Sequence, residues 1–381
     1  MRTRGIVAAL LAAPIAVAAL AARGESLAAF GAPDAAAALG TPFDGRCIPA
    51  GCVAPPSNTP GILGRRALPA GRLARLGATP DFHHELLAGA QQNRLAQVGA
   101  DAGVGVRLVQ GKVYVLTGPG DNDGNVTVQV GTDGVLLVDT QTAELAPRIF
   151  AAIRTLSLEP IRWIVNTSAR LDHVGGNDAL ARLGTTPASI GRPRIVAHEN
   201  VGRRLVGVPS VSRDAWPNDD FFTPDKDFFF NGEAVVVSHM PAAATDGDSI
   251  VFFRRSDVIS AGDLFTPGRY PAIDLAAGGG VQGAIDALNT ILHLTVPAKY
   301  QEGGTYVVPG HGRLCDEADV VEYREMVTVV RDRVQDLIRK GSTLEQVKAA
   351  RPTRDYDAEY AKPGSPLPDT FVEAVFRSLK K

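Results

Sequence analysis

The sequence predicts a mixed α/β domain beginning near residue 105, behind a long stretch of different character. Three observations carry that expectation. Short β-branched runs at 113–117, 126–130, 135–138, 161–165 and 194–197 alternate with helical patterns at 145–156 and 178–183. Later strand runs at 249–254 and then 258–259 lead into one turn that contains glycine, and the run at 305–308 leads into another. Beyond them Val320, Tyr323, Val327, Val330, Val334 and Leu337 recur at steps of three and four, the stripe of a core-facing helix. Composition agrees with a folded enzyme-sized chain: 381 residues, 45% hydrophobic and 21% charged, are too apolar for disorder, and 3 cysteines are too few for a disulfide scaffold. With 39 basic residues against 41 acidic ones there is no nucleic-acid footprint, and a small-molecule partner is expected. Oligomeric state has no sequence signal.

The amino terminus has the layout of a secretory signal peptide over residues 1–28. Arg2 and Arg4 precede an Ala/Leu/Val-rich run, and Ala19-Leu20-Ala21 or Ser26-Leu27-Ala28 offers a cleavage site. An uncleaved anchor is the alternative, weakened by Pro14 within a short run; after cleavage no stable membrane span is expected, and export to the periplasm or beyond follows. Residues 29–104 form an Ala/Gly/Pro-rich extension. Cys47 and Cys52 within it could bridge locally in an oxidising compartment; as a metal pair they lack nearby partners. An amphipathic helix is expected over 81–97; His83 and His84 are adjacent there and point in different directions.

From residue 105 the elements follow in order. Gly118 to Asn125, with its Asp-Gly step, reads as a hairpin turn, since a calcium loop would need a further carboxylate downstream. The strand at 135–138 ends on Asp139. The strand at 161–165 ends in Asn166-Thr167-Ser168-Ala169-Arg170-Leu171-Asp172-His173-Val174-Gly175-Gly176-Asn177, a polar turn with an adjacent Asp-His pair. Two later strands end in Gly262-Asp263-Leu264-Phe265 and Pro309-Gly310-His311-Gly312. Residues at such strand ends project together from a rigid base, so Asp172, His173, Asp263 and His311 are candidate metal ligands.

Asp-His-x-Gly-Gly-Asn, Thr-Asp-Gly-Asp at 245–248, Gly-Asp-Leu-Phe and Pro-Gly-His-Gly, in this order, resemble the metallo-β-lactamase superfamily over residues 106–340. The resemblance implies a four-layer αββα sandwich over 105–340, followed by a helical carboxy-terminal tail at 341–381. It implies metals at one edge between two sheets, with Asp139 and Asn177 supporting the ligands from behind. The departures are concentrated. Ser168 and Arg170 stand where the family signature has histidines, and Ala244 stands at a third histidine position. All three belong to one of the family's two metal sites, whereas Asp172, His173, Asp263 and His311 match the other.

Two imidazoles and two carboxylates suit one Zn²⁺, or the harder Fe²⁺ or Mn²⁺; a binuclear centre is not expected. An ion there activates water for hydrolysis of an ester, thioester, lactone or amide, a β-lactam among them. Asp172 and Arg170 are the candidate catalytic residues, and Arg170, Ser168 and Tyr270 the candidate substrate contacts. Arg170 brings a permanent charge to the lost metal site, where it holds a substrate anion or developing oxyanion. The competing expectation is a non-catalytic binding protein in which Arg170 fills that site and no metal enters. His239 is a possible substitute ligand, His198 reads as a strand end, and His293 as packed on its helix. The long segment between His198 and Glu233, rich in Phe and Asp, is expected as a loop over the cleft or a cap on a sheet edge. Cys315 reads as a buried free thiol.

Overall fold

The computed structural model describes Gln92 and residues 103–120, 123–185, 191–301 and 303–380. The leader, the Cys47/Cys52 pair, Asp121, Asn122 and all of the 81–97 helix except Gln92 lie outside the described residues.

A seven-stranded sheet runs in the order of the chain: β1 (Gly105–Gln110), β2 (Val113–Thr117), β3 (Asn125–Gly131), β4 (Gly134–Val138), β5 (Ile161–Val165), β6 (Arg194–His198) and β7 (Asp219–Phe221). Its first four strands form an antiparallel meander, and β4 to β7 are parallel. Parallel neighbours need crossovers. These come from α1 (Ala146–Leu156) between β4 and β5, and from α2 (Leu171–Val174) and α3 (Asn177–Leu183) between β5 and β6. Helix α4 (Glu199–Leu205) leads from β6 to β7. A five-stranded sheet has the order β12 (Tyr306–Pro309), β11 (Val258–Gly262), β10 (Ser249–Phe253), β9 (Glu233–His239), β8 (Asp225–Phe230), with only β11 and β12 parallel.

The strands' two-residue period assembles the layers. In β4, Val135 and Leu137 pack under α1 and α3 with Ile149, Ile153 and Leu180, while Leu136 and Val138 face the other way. There they meet Val235, Val237, Val251 and Phe253 of the second sheet. The opposite face of that sheet, Ile250, Ile259 and Val307, packs on α5 (Val281–Leu294) and α6 (Glu317–Arg339). The result is the expected four-layer αββα sandwich, each buried aliphatic contributing about 1.5–3 kcal/mol.

The carboxy-terminal helices pack onto the sandwich. After α7 (Leu344–Ala349) and α8 (Asp357–Tyr360), α9 (Pro368–Leu379) places Phe371, Val372 and Val375 in the same cluster as Ile259 and Val327. Helices α6 and α7 start on side-chain caps, Asp316 and Thr343, each with a reciprocal bond from the third helical residue.

Two expectations are corrected. The segment after His198 is not one long loop, because α4, β7 and β8 interrupt it. Phe221 and Phe230 are buried, Phe228 stacks on Trp163 at 4.2 Å, and Phe222 and Phe229 stay exposed. The aromatics thus serve the sheet edge. His293 is exposed on the outer face of α5 rather than packed. Cys315 is buried and free, as expected.

Candidate metal centre

Parallel pairing sets the ends of β4 and β5 level, Val138 against Val165, and the ends of β11 and β12 level, Gly262 against Pro309. The two edges are tied across the sandwich. Asn125 donates through Nδ2 to the carbonyls of Pro309 and Gly312, and the backbone N–H of Ser249 donates to the Thr167 carbonyl at 2.9 Å. Only glycine fits at 262: φ is 53°, and a Cβ would lie 2.5 Å from Thr167 Oγ1. That close approach brings the turn after β11 against the turn after β5.

His173 is held from both ends. Its carbonyl accepts from Thr140 N, Thr140 Oγ1 and Asn166 Nδ2, all at 3.0 Å. Asn177 locks that frame by bonding Thr140, both amide atoms of Asn166 and the Ala215 carbonyl. The imidazole Nδ1 lies 2.8 Å from Asp139 Oδ2, and Asp139 also accepts from Thr167 N and Thr167 Oγ1. Asp139 adopts a left-handed φ of 62°, a conformation that a non-glycine residue keeps only where its surroundings impose it. A carboxylate behind Nδ1 fixes the tautomer and leaves Nε2 to bind a cation. That Nε2 is buried without a hydrogen-bond partner.

Asp172, His173, Asp263 and His311 each offer a ligand atom within 4.8 Å of the others. His311 Nε2 is 3.0 Å from Asp172 Oδ2 and 3.5 Å from Asp263 Oδ1. His173 Nε2 is 3.3 Å from Asp263 Oδ1 and 4.0 Å from Asp172 Oδ2. A tetrahedral ion bonded at about 2.0–2.2 Å spaces its ligand atoms roughly 3.4 Å apart. The donor set therefore fits one such ion in both chemistry and spacing.

The second oxygen of each carboxylate faces elsewhere. Arg170 Nε lies 2.9 Å from Asp263 Oδ2 and 3.4 Å from Asp172 Oδ1. Asp263 is 5% exposed and Arg170 48%, so the guanidinium spans from a buried carboxylate to solvent. Burial opposes charge on Asp172, but His311, His173 and Arg170 outweigh it and hold the carboxyl well below the usual range. Burial likewise opposes charge on Asp263, and His173 and Arg170 lower it. Burial also opposes a charged His173, yet Asp139 and Asp263 raise its pKa well above the ordinary value.

These directions set the pH dependence. A raised histidine stabilises fully below its unfolded value of about 6.5, and the contribution is lost as pH rises through the folded value. The lowered carboxylates act in the opposite sense, losing their contribution as pH falls through their folded values. Buried Asp248, pushed up to about 6 by desolvation, behaves like the histidine rather than the lowered carboxylates: its contribution is lost as pH rises between about 4 and 6. The melting temperature of the metal-free protein is therefore expected to fall above about pH 6.5. Saturating zinc, which takes the neutral imidazole, removes that fall. A parallel fall with and without zinc in thermal scans across pH would contradict this assignment.

Asp139→Ala leaves every ligand in place but frees the His173 ring, and is expected to weaken zinc binding about 10–100-fold in a chelator competition. Unchanged affinity would remove Asp139 from the centre.

The remaining candidates fall as follows. Ser168 is buried, and its Oγ accepts the Arg170 N–H at 3.2 Å; its work here is to shape the turn, with no surface left for substrate. Tyr270 walls the cleft, but it is 1% exposed, its ring stacks on Phe371, and its hydroxyl donates to Asp357 and the Thr353 carbonyl. Ala244 is buried, and its carbonyl accepts the Asp274 N–H. His239 stacks on His198 at 3.6 Å and lies 2.8 Å from the Asp246 carbonyl through Nε2, away from the ligand cluster. His198 caps α4. Thr167, which bonds Asp139, and Arg269, which lines the cleft, carried no sequence signal beyond their positions beside a ligand turn. The cleft over the cluster measures about 220 Å³ and is lined by Arg170, Asp172, Asp263, Arg269, Tyr270 and His311 among others.

Two facing sheets with a buried His/Asp cluster across their common edge define a metallohydrolase-type centre. The chain belongs to the metallo-β-lactamase superfamily, whose family model matches residues 119–311, more than half of its length. Among solved structures, it is similar to a double mutant of the sec-alkyl sulfatase PisA1, with TM-score 0.56 and 18% identity over 75% of this chain and 51% of that one. The stereoselective inverting sec-alkylsulfatase Pisa1 from Pseudomonas sp. gives TM-score 0.52 and 18% identity, covering 72% and 50%. A metallo-β-lactamase from Pontibacter korlensis gives TM-score 0.48 and 19% identity, covering 59% and 99%. This chain thus spans about half the length of the sulfatases, and at these identities the likeness is one of fold. No curated protein matches it. Among the described residues, no helix is long and apolar enough to cross a membrane.

Proposed function

We propose that this protein is an exported hydrolase that uses one divalent ion, zinc or otherwise Fe²⁺ or Mn²⁺, on an ester, thioester, lactone or amide, a β-lactam among them. The observation that carries the proposal is the division of the two carboxylates. Asp172 and Asp263 each turn one oxygen to the imidazoles and the other to Arg170. One side of the pair has the spacing of a four-ligand cation site; the other already has its positive charge.

Asp172, His173, Asp263 and His311 would hold the ion. When bound, it supplies Lewis acidity and lets water ionise near neutral pH. Asp139 keeps His173 in the tautomer that presents Nε2. Asp172 and Asp263 fix Arg170 at the cleft, and the exposed part of its guanidinium meets negative charge gathering on the substrate as the scissile group is attacked. Arg170 thus keeps in place, without a second ion, the positive charge that the lost histidine site would have provided.

The short contact of Arg170 with Asp263 also favours a second reading, a binding protein whose carboxylates are fully neutralised by arginine. Reconstitution separates the two. Zinc-, iron- or manganese-loaded protein is expected to hydrolyse at least one member of a panel of esters, thioesters, lactones and β-lactams, and to lose that activity on chelation. Failure to take up zinc, iron or manganese, with no turnover across the panel, would favour the binder.

A further inference from the structure

A second cavity adjoins the metal-site cleft across Arg170. This cavity, of about 490 Å³, shares Arg170, Ala272 and Pro366 with the cleft and runs between residues 271–275 and α9. Its walls present Pro271, Ile273, Leu275, Phe371 and Ala374. The charged groups on its rim are already committed. Glu373 pairs with Lys348 at 2.6 Å and with Arg377 at 2.8 Å, and Asp274 Oδ1 accepts the N–H groups of Ala276 and Ala277. What remains for a ligand is a trough with an apolar floor and a polar rim, with a guanidinium at the end nearest the metal ligands.

We infer that the substrate is an amphiphile whose linear acyl or alkyl chain lies in this trough while its polar, hydrolysable end sits beyond Arg170 at the metal ligands. The inference rests on the hydrolase assignment above and adds the substrate class. The shared wall selects the occupant. A chain leaving the ligand cluster past Arg170 enters the trough directly, and its head stays beside the cations of Arg170 and Arg269. The carboxy-terminal helix, outside the matched family region of 119–311, then selects for chain length.

The test measures binding separately from turnover. Straight-chain carboxylates from butanoate to decanoate, below their micellar concentrations, are titrated calorimetrically into the zinc-loaded protein. Each added methylene is expected to tighten binding about two- to four-fold until the trough is full. Ala374→Trp fills the trough from the helix side, and Thr370→Trp does so from an exposed position that spares the core. Both are expected to flatten the chain-length series while zinc content stays at the wild-type level. A flat series in the wild type, or an unchanged slope in a folded tryptophan variant, overturns the inference. A steep series that the variants abolish, in a protein with no hydrolytic activity, leaves the trough standing and removes the hydrolase assignment.

Discussion

Asp172→Ala and His311→Ala are each expected to leave a folded protein that no longer retains its ion. Four-ligand zinc sites are worth about 10–16 kcal/mol, so one ligand carries on the order of 3 kcal/mol, more than a hundredfold in affinity. After dialysis, metal content should fall from about one equivalent to below about 0.2, with hydrolytic activity lost in step. Both side chains suit the experiment. Asp172 is 19% exposed at the cleft, and His311 contributes to none of the three apolar clusters between the layers. Circular dichroism checks the fold. Full metal retention in either variant would show that the ion binds elsewhere or that the cluster is structural.

Arg170→Ala should separate charge from ligation. Arg170 meets the outer oxygens of Asp172 and Asp263, so ion content is expected to stay near one equivalent. The loss falls on Asp263, whose outer oxygen keeps no other partner among the described residues. An orphaned buried acceptor costs about 1–3 kcal/mol. For a domain of this size that lowers the melting temperature of the metal-free protein by roughly 2–10 °C, and by less with zinc bound. Turnover should drop about 100-fold or more, the scale of removing one preorganised partner for developing charge. Arg170→Lys restores charge but not the planar fork reaching both carboxylates, so its recovery should be partial. Unchanged kcat/KM in Arg170→Ala, or uptake of a second ion, would contradict the role given to this residue.

Much of this was legible in the sequence because strand ends announce themselves. The runs at 113–117 and 161–165 coincide with β2 and β5, and the stripe from Val320 to Leu337 lies within α6. Glycine or a polar turn after a β-branched run marks all four cluster residues as strand-end residues, and the family resemblance implies their common edge. β7 and β8 were missed because aspartates interrupt their phenylalanines and lower the apparent strand propensity, although Lys226, Phe228 and Phe230 do alternate. The division of the carboxylate oxygens was not legible at all. Asp172 and Asp263 come from different sheets, and only the packing of those sheets decides which oxygen meets an imidazole and which meets Arg170. The same holds for the trough, since a short amphipathic helix such as α9 does not declare what its neighbours leave open beside it.

The central claim is that one ion sits among Asp172, His173, Asp263 and His311 while Arg170 stands in for another. Zinc-edge anomalous diffraction from zinc-reconstituted crystals, with elemental analysis of the same sample, tests it most directly. One anomalous peak within about 2.0–2.2 Å of both Nε2 atoms and the inner carboxylate oxygens is expected, with Arg170 still on the outer oxygens. Two peaks, or none after reconstitution, would contradict the account.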